Sequence, residues 1–122
     1  MNLPDPSSLS ERLTAERLRT LERIAALNHE RDGIIESSTQ AGVDDEHDPE
    51  GATSAFERSQ LEALLDQSRR HLSDLDLALR QVDEGTYGRC EKCGDPIAPE
   101  RLAARPTART CITCASRRQG HA

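Results

Sequence analysis

The chain has 122 residues, enough for a single domain or for one small domain with an extended element. Phe56 and Tyr87 are its only aromatic residues, and 34% hydrophobic against 31% charged residues excludes a thick, rounded core. The formal charge of −6 is unevenly placed: residues 101–122 carry five arginines and no acid, which leaves −11 on the first hundred residues.

That balance opposes non-specific DNA binding as the main activity, since duplex affinity comes largely from neutralising phosphates. A basic protein partner suits it better. No stretch approaches the ~18 apolar residues needed to cross a bilayer. Met1-Asn2-Leu3-Pro4-Asp5 lacks the basic and apolar regions of a secretory signal. The expectation is a cytoplasmic protein without membrane contact.

In chain order, residues 1–7 read as a flexible N-terminal tail. Residues 8–84 are helix-forming apart from one break. Ser8-Leu9-Ser10-Glu11 has the spacing of a capping box, which predicts a helix start at Ser8. Beyond it, Leu13, Leu18, Leu21, Ile24, Ala25, Leu27, Ile34 and Ile35 keep mostly three- and four-residue steps, the mark of one dry stripe. The pattern fades past Glu36. A second helix is predicted from Asp48-Pro49, with Asp as N-cap and Pro at the first helical position, to Gly85 as a left-handed C-cap. Its Leu61, Leu65, Ser68, Leu72, Leu75, Leu79 and Val82 alternate steps of four and three, a heptad seam. Two such helices joined by one turn predict an antiparallel coiled-coil hairpin with arms of roughly 45 Å.

The joint, residues 43–53, holds five carboxylates within seven residues and neither Lys nor Arg. The plain reading is two helix-capping acids in a solvated loop. The sharper one is a negatively charged tip aimed at cations, either basic residues or a partner's metal ions. Such a loop is poorly organised to hold Mg²⁺ unless the partner supplies further oxygens.

Residues 85–122 contain all four cysteines. Cys90-Glu91-Lys92-Cys93 and Cys111-Ile112-Thr113-Cys114 are two C-x₂-C knuckles seventeen residues apart, the spacing of a zinc site. Each tight turn directs two sulfurs at one ion, and two turns complete a tetrahedral set of four. Gly94 stands where a knuckle needs positive φ. Four sulfurs leave no open position for water, so the predicted zinc is structural and single. Disulfides are disfavoured without a secretion signal, and a redox pair would use only one C-x-x-C. Such a site supplies on the order of 10–16 kcal/mol to folding at neutral pH.

Between the knuckles, Pro99 to Arg105 reads as one or two helical turns stopped by Pro106. Arg101, Arg105, Arg109, Arg117 and Arg118 make the lobe basic. They are either candidate contacts to an anionic surface or ordinary solubilising charge. His29, His47, His71 and His121 are scattered in polar surroundings and need no metal role.

Residues 84–97, Glu84-Gly85-Thr86-Tyr87-Gly88-Arg89-Cys90-Glu91-Lys92-Cys93-Gly94-Asp95-Pro96-Ile97, together with Arg101-Leu102-Ala103-Ala104-Arg105-Pro106-Thr107-Ala108-Arg109 and the second knuckle, resemble the DksA/TraR family of bacterial transcription regulators. The likeness is specific after residue 84 and architectural over the hairpin. It implies a mainly α fold: a long antiparallel coiled-coil hairpin (8–84) with an acidic tip at 43–53, and a small C-terminal zinc-finger lobe (85–122) built on four cysteines. It further implies that the protein binds RNA polymerase, inserts the tip through the secondary channel and modulates initiation without reading a DNA sequence. Some members of the family act together with (p)ppGpp. The family's tip pattern, Asp-x-x-Asp-x-Ala, is matched at Asp45 and Asp48, where Glu50 then replaces Ala. A shifted register uses His47, Glu50 and Ala52. An enzyme is not expected, because the metal site is saturated and no nucleophile–base pair is visible. The alternatives are a nucleic-acid-binding zinc module, resting on the arginines, and a coiled-coil interaction protein that does not contact polymerase.

Overall fold

The computed structural model describes residues 5–41 and 49–120, with side chains over 5–37 and 53–117. It contains four helices in chain order: α1 (Pro6–Ala41), α2 (Pro49–Glu84), α3 (Pro99–Ala104) and α4 (Ile112–Gly120). Among the described residues there is no strand, only an isolated antiparallel bridge between Arg89 and Pro96.

α2 starts at Pro49, as expected, and ends at the expected glycine. Gly85 has φ +77°. The Thr86 amide reaches the Gln81 carbonyl at 2.9 Å and the Gly85 amide reaches Val82 at 3.2 Å. These two bonds are the pair that defines a Schellman cap.

α1 departs from expectation at both ends. It starts at Pro6, with the Leu9 amide bonded to the Asp5 carbonyl at 3.0 Å. Ser8 and Glu11 therefore lie inside the helix, and Asp5-Pro6 begins α1 as Asp48-Pro49 was expected to begin α2. Toward its C-terminus α1 continues through Ser37-Ser38-Thr39-Gln40 to Ala41.

The chain forms two compact units. One is continuous, Leu18–Ser73. The other joins the described residues up to Arg17 with those from Asp74 onward.

In the continuous unit, Leu27 packs with Leu61 and Leu65, flanked by Ile24, Ile34 and Leu64. Arg31 of α1 donates to Glu62 of α2 at 3.1 Å. In the other unit, Leu13 packs with Leu75 and Ala78, and Leu79, Val82 and Tyr87 close around them. Arg17 donates to Asp76 there at 2.6 Å. Residue numbers rise along α1 as their partners fall along α2, so the helices pair antiparallel, as the hairpin reading required.

The seam on α2 is the expected one, with a local change: Ala78 is buried where Leu79 was expected, and Leu79 is half-buried. The stripe on α1 is different. Leu9, Leu13, Thr20 and Leu27 are buried, whereas Leu18 is 57% exposed and Leu21, Ala25 and Ile35 also lie outside. From 13 through 20 to 27 the buried positions recur every seven residues, the heptad period. Thr20 occupies a seam position that a search for apolar residues passes over. No described helix is long and apolar enough to cross a membrane.

Candidate metal centre

The metal-binding lobe begins where α2 stops. The left-handed turn at Gly85 sends the chain into a small hairpin. Within it the Ile97 amide bonds Gly88 at 2.8 Å, the Cys90 amide bonds Asp95 at 2.8 Å, and the Gly94 amide closes on Cys90 at 2.9 Å. Gly94 has φ +79°, the conformation expected of it. A side chain there would strain the turn that aims Cys90 and Cys93 at one point.

The second knuckle opens α4, a helix absent from the sequence reading. The Ala115 amide bonds the Cys111 carbonyl at 3.0 Å, so Cys111 and Cys114 lie one helical turn apart on one face. Three contacts bring the knuckles together. The Glu91 amide bonds Arg109 at 2.8 Å, Tyr87 Oη donates to the Pro106 carbonyl at 2.7 Å, and Arg101 Nε donates to Thr110 at 2.9 Å. Beneath them Cys90, Ile97 and Leu102 form a buried apolar cluster, edged by Tyr87, Ala108, Cys111 and Cys114.

All four sulfurs consequently lie within 4.8 Å of one another. Cys93 and Cys111 Sγ are 3.8 Å apart, and all four cysteines are free thiols. A tetrahedral ion with Zn–S distances of ~2.3 Å places its sulfurs ~3.8 Å apart, so the set fits zinc.

Its proton affinities point the same way. Burial opposes ionisation of Cys90, but amides of Cys93, Cys111 and Lys92 and the Cys93 thiol bring it down to about 6. Cys114 is pushed up to about 12, chiefly by hydrogen bonding to the Cys111 and Cys90 sulfurs. Cys93 is also raised: sulfur contacts and burial outweigh its leading influence, the Asp95 backbone, which lowers it. One thiolate forms readily and its neighbours then resist a second charge. A divalent cation at the centre removes that conflict, which is the electrostatic reason the four belong to a metal.

The other expected site residues fall differently. Arg105, Arg109 and Arg117 are exposed, while Arg101 is half-buried and engaged with Thr110. Arg118 is part of α4, its side chain outside the described residues. Asp45, His47 and Asp48 also lie outside them; Glu50 and Ala52 belong to the start of α2, without described side chains.

Sequence reasoning missed Arg12, whose guanidinium donates to the Ala103 carbonyl at 2.7 Å across 91 residues of chain. No local pattern marks such a contact. It also missed that Tyr87, noted only as one of two aromatic residues and within the family-like segment, edges both the Leu13 cluster and the cysteine cluster.

Comparison with known proteins extends the lobe's geometry to the chain. Residues 85–120 match the prokaryotic dksA/traR C4-type zinc finger. The chain is 32% identical over 111 residues to the RNA polymerase-binding transcription factor DksA of Haemophilus influenzae, covering 85% of this chain and 75% of that one. It is 44% identical over 54 residues to the protein of the same name from Caulobacter vibrioides, a match that spans only 38% of that protein's length. Transcription factor DksA2 of Pseudomonas aeruginosa has a similar solved structure, with a TM-score of 0.77 at 25% identity, covering 94% of this chain and 83% of that one.

Proposed function

This chain belongs to the DksA/TraR family, and from that premise we propose that it is a transcription regulator that binds RNA polymerase directly. The observation that carries the reading is the Haemophilus match, which extends beyond the zinc finger over most of both chains and joins this chain to a protein named for binding polymerase. An enzyme is not the reading: these relatives are named transcription factors, and a set of four sulfurs around one ion leaves no position for a substrate.

In this proposal the acidic turn between α1 and α2 enters the secondary channel and acts near the active centre. Asp45 and Asp48 are the leading tip acids, with His47, Glu50 and Ala52 as the alternative register. The cluster of five carboxylates with no base among them supports that role, because a channel lined with basic groups and ending at catalytic Mg²⁺ favours negative charge. The zinc is a single structural ion on Cys90, Cys93, Cys111 and Cys114. Exposed Arg105, Arg109 and Arg117 are available to anionic surfaces, including (p)ppGpp, whereas Arg101 is held by Thr110. Sequence-specific DNA reading has no part in this mechanism.

The test is binding to purified core RNA polymerase followed by transcription in vitro. Replacing Asp45, Asp48 and Glu50 together with Asn or Ala abolishes the transcriptional effect if the tip acts as proposed. An unchanged transcription profile for that variant would sink the tip mechanism while leaving polymerase binding intact.

A further inference from the structure

The continuous unit carries a feature that the tip and the zinc lobe do not use. An open groove of about 380 Å³ runs between α1 and α2, lined by Glu30 and Ile34 from α1 and by Glu57, Gln60, Leu61 and Leu64 from α2. Its apolar lining is Leu61, a member of the buried Leu27–Leu65 cluster, with Ile34 and Leu64 from that cluster's half-buried margin. Glu30 and Glu57 are exposed, one on each helix.

Neither carboxylate has an ion-pair partner among the described residues. Arg31, the base next to Glu30 in the chain, already bonds Glu62 and Asp32. Arg58, next to Glu57, points away from it, since adjacent residues on a helix do not share a face. Phe56 is 63% exposed and stands one helical turn before Gln60, in line with Leu64 at four-residue steps. An unpartnered aromatic ring therefore lies on the face that forms one groove wall.

We infer that this groove receives an arginine side chain of the protein partner. Two carboxylates lining the groove, one from each helix, supply acceptors for a guanidinium, and the apolar lining accepts the aliphatic stem of the same residue. The exposed ring adds a surface on which a planar cation stacks. A neutral apolar helix would leave Glu30 and Glu57 with nothing to offset their desolvation, and an acidic segment would be repelled. The inference rests on the polymerase reading and identifies a second point of attachment, on the sides of the helices and separate from the tip.

The experiment measures affinity of the full zinc-loaded chain for purified core RNA polymerase. The variants are the E30Q/E57Q double substitution, F56A, and a control, E22Q/E36Q, that removes the same charge from exposed positions outside the groove. If the groove holds an arginine, E30Q/E57Q weakens binding by roughly tenfold or more. F56A weakens it in the same direction, and the control changes it by less than about twofold. Helix content and zinc content stay constant throughout, so the loss is not one of folding. Wild-type affinity retained by E30Q/E57Q overturns the groove and leaves the polymerase reading standing, as does an equal loss in the control. Failure of the unsubstituted chain to bind polymerase overturns both.

Discussion

The cysteine lobe and the continuous helical unit solve the same problem, a shortage of bulky apolar side chains, in different ways. In the helical unit, Leu27, Leu61 and Leu65 come together from distant points of the chain, and burial of each contributes about 1.5–3 kcal/mol before ordering entropy is subtracted. Among its described residues the lobe buries only Cys90, Ile97 and Leu102, and it depends on a dense set of amide bonds around four sulfurs. The first kind of order tolerates polar replacements away from the seam. The second has its stability concentrated in a single point, the metal.

The largest test of that contrast removes the metal, by chelation or by Cys111→Ser. The lobe should lose apparent stabilisation on the order of 10–16 kcal/mol. Hydrogen exchange should then speed up at the Cys90, Gly94 and Ile97 amides while the Leu27 and Leu65 amides stay protected. Collapse of both regions together would break the comparison. Acid should act in the same direction as chelation, because protons compete for thiolates. Cys90, the group with the lowered proton affinity, contributes stability above its unfolded value that is lost as pH falls through about 6.

Next in size is Leu65→Ala. Leu65 is fully buried, and its loss should cost ~2–5 kcal/mol in denaturant unfolding of the helical unit with zinc affinity unchanged. Gly85→Ala should cost about 1–2 kcal/mol, since it places a Cβ at φ +77° with no neighbouring atom to clash; the penalty is purely conformational.

Tyr87→Phe removes the bond to the Pro106 carbonyl and should cost ~1 kcal/mol. Burial raises the Tyr87 pKa against a smaller opposing pull from Arg12, so the neutral phenol is the form that supports the fold. Its contribution is present below the ordinary value of 10.0 and lost as pH rises through the raised one; the Phe variant should lack that alkaline loss. Smallest is Asp76→Asn: its pair with Arg17 is 38% and 47% exposed, which limits the change in melting to under about 1 kcal/mol.

The lobe's ligands were legible because their information is local. Two cysteines three residues apart, a glycine after them and the same spacing repeated are enough to specify a site. Gly85 and Pro49 were legible for the same reason, as each restricts its own backbone. The seam of α2 was readable because leucine marks nearly every position on it. The seam of α1 was not, because Thr20 holds a buried place while Leu18 and Leu21 do not. Periodicity counts apolar residues, whereas the face is chosen by what α2 presents. Ser8-Glu11 was a sound capping pattern overtaken by Asp5-Pro6 one turn earlier. α4 escaped because its nine residues, Ile112 to Gly120, span too few turns for a repeating pattern to announce a helix; the packing of Cys111 and Cys114 against the Cys90, Ile97 and Leu102 cluster holds it in place. The contact from Arg12 to Ala103 has no sequence signature at all, being set by where the fold delivers both ends.

That contact also orders events during synthesis. One unit is continuous from Leu18 to Ser73, whereas the other needs residues up to Arg17 and from Asp74 onward together. On a ribosome adding ~5–20 residues per second, Leu27 can meet Leu61 and Leu65 several seconds before Ala103 exists to receive Arg12. The start of α1 is made well before the segments it packs against. In the interval Leu9 and Leu13, buried in the finished protein, have no cover from the lobe or from the last turns of α2. The nascent chain is thus most exposed to misassociation at the start of α1, and completion of the cysteine lobe closes that window.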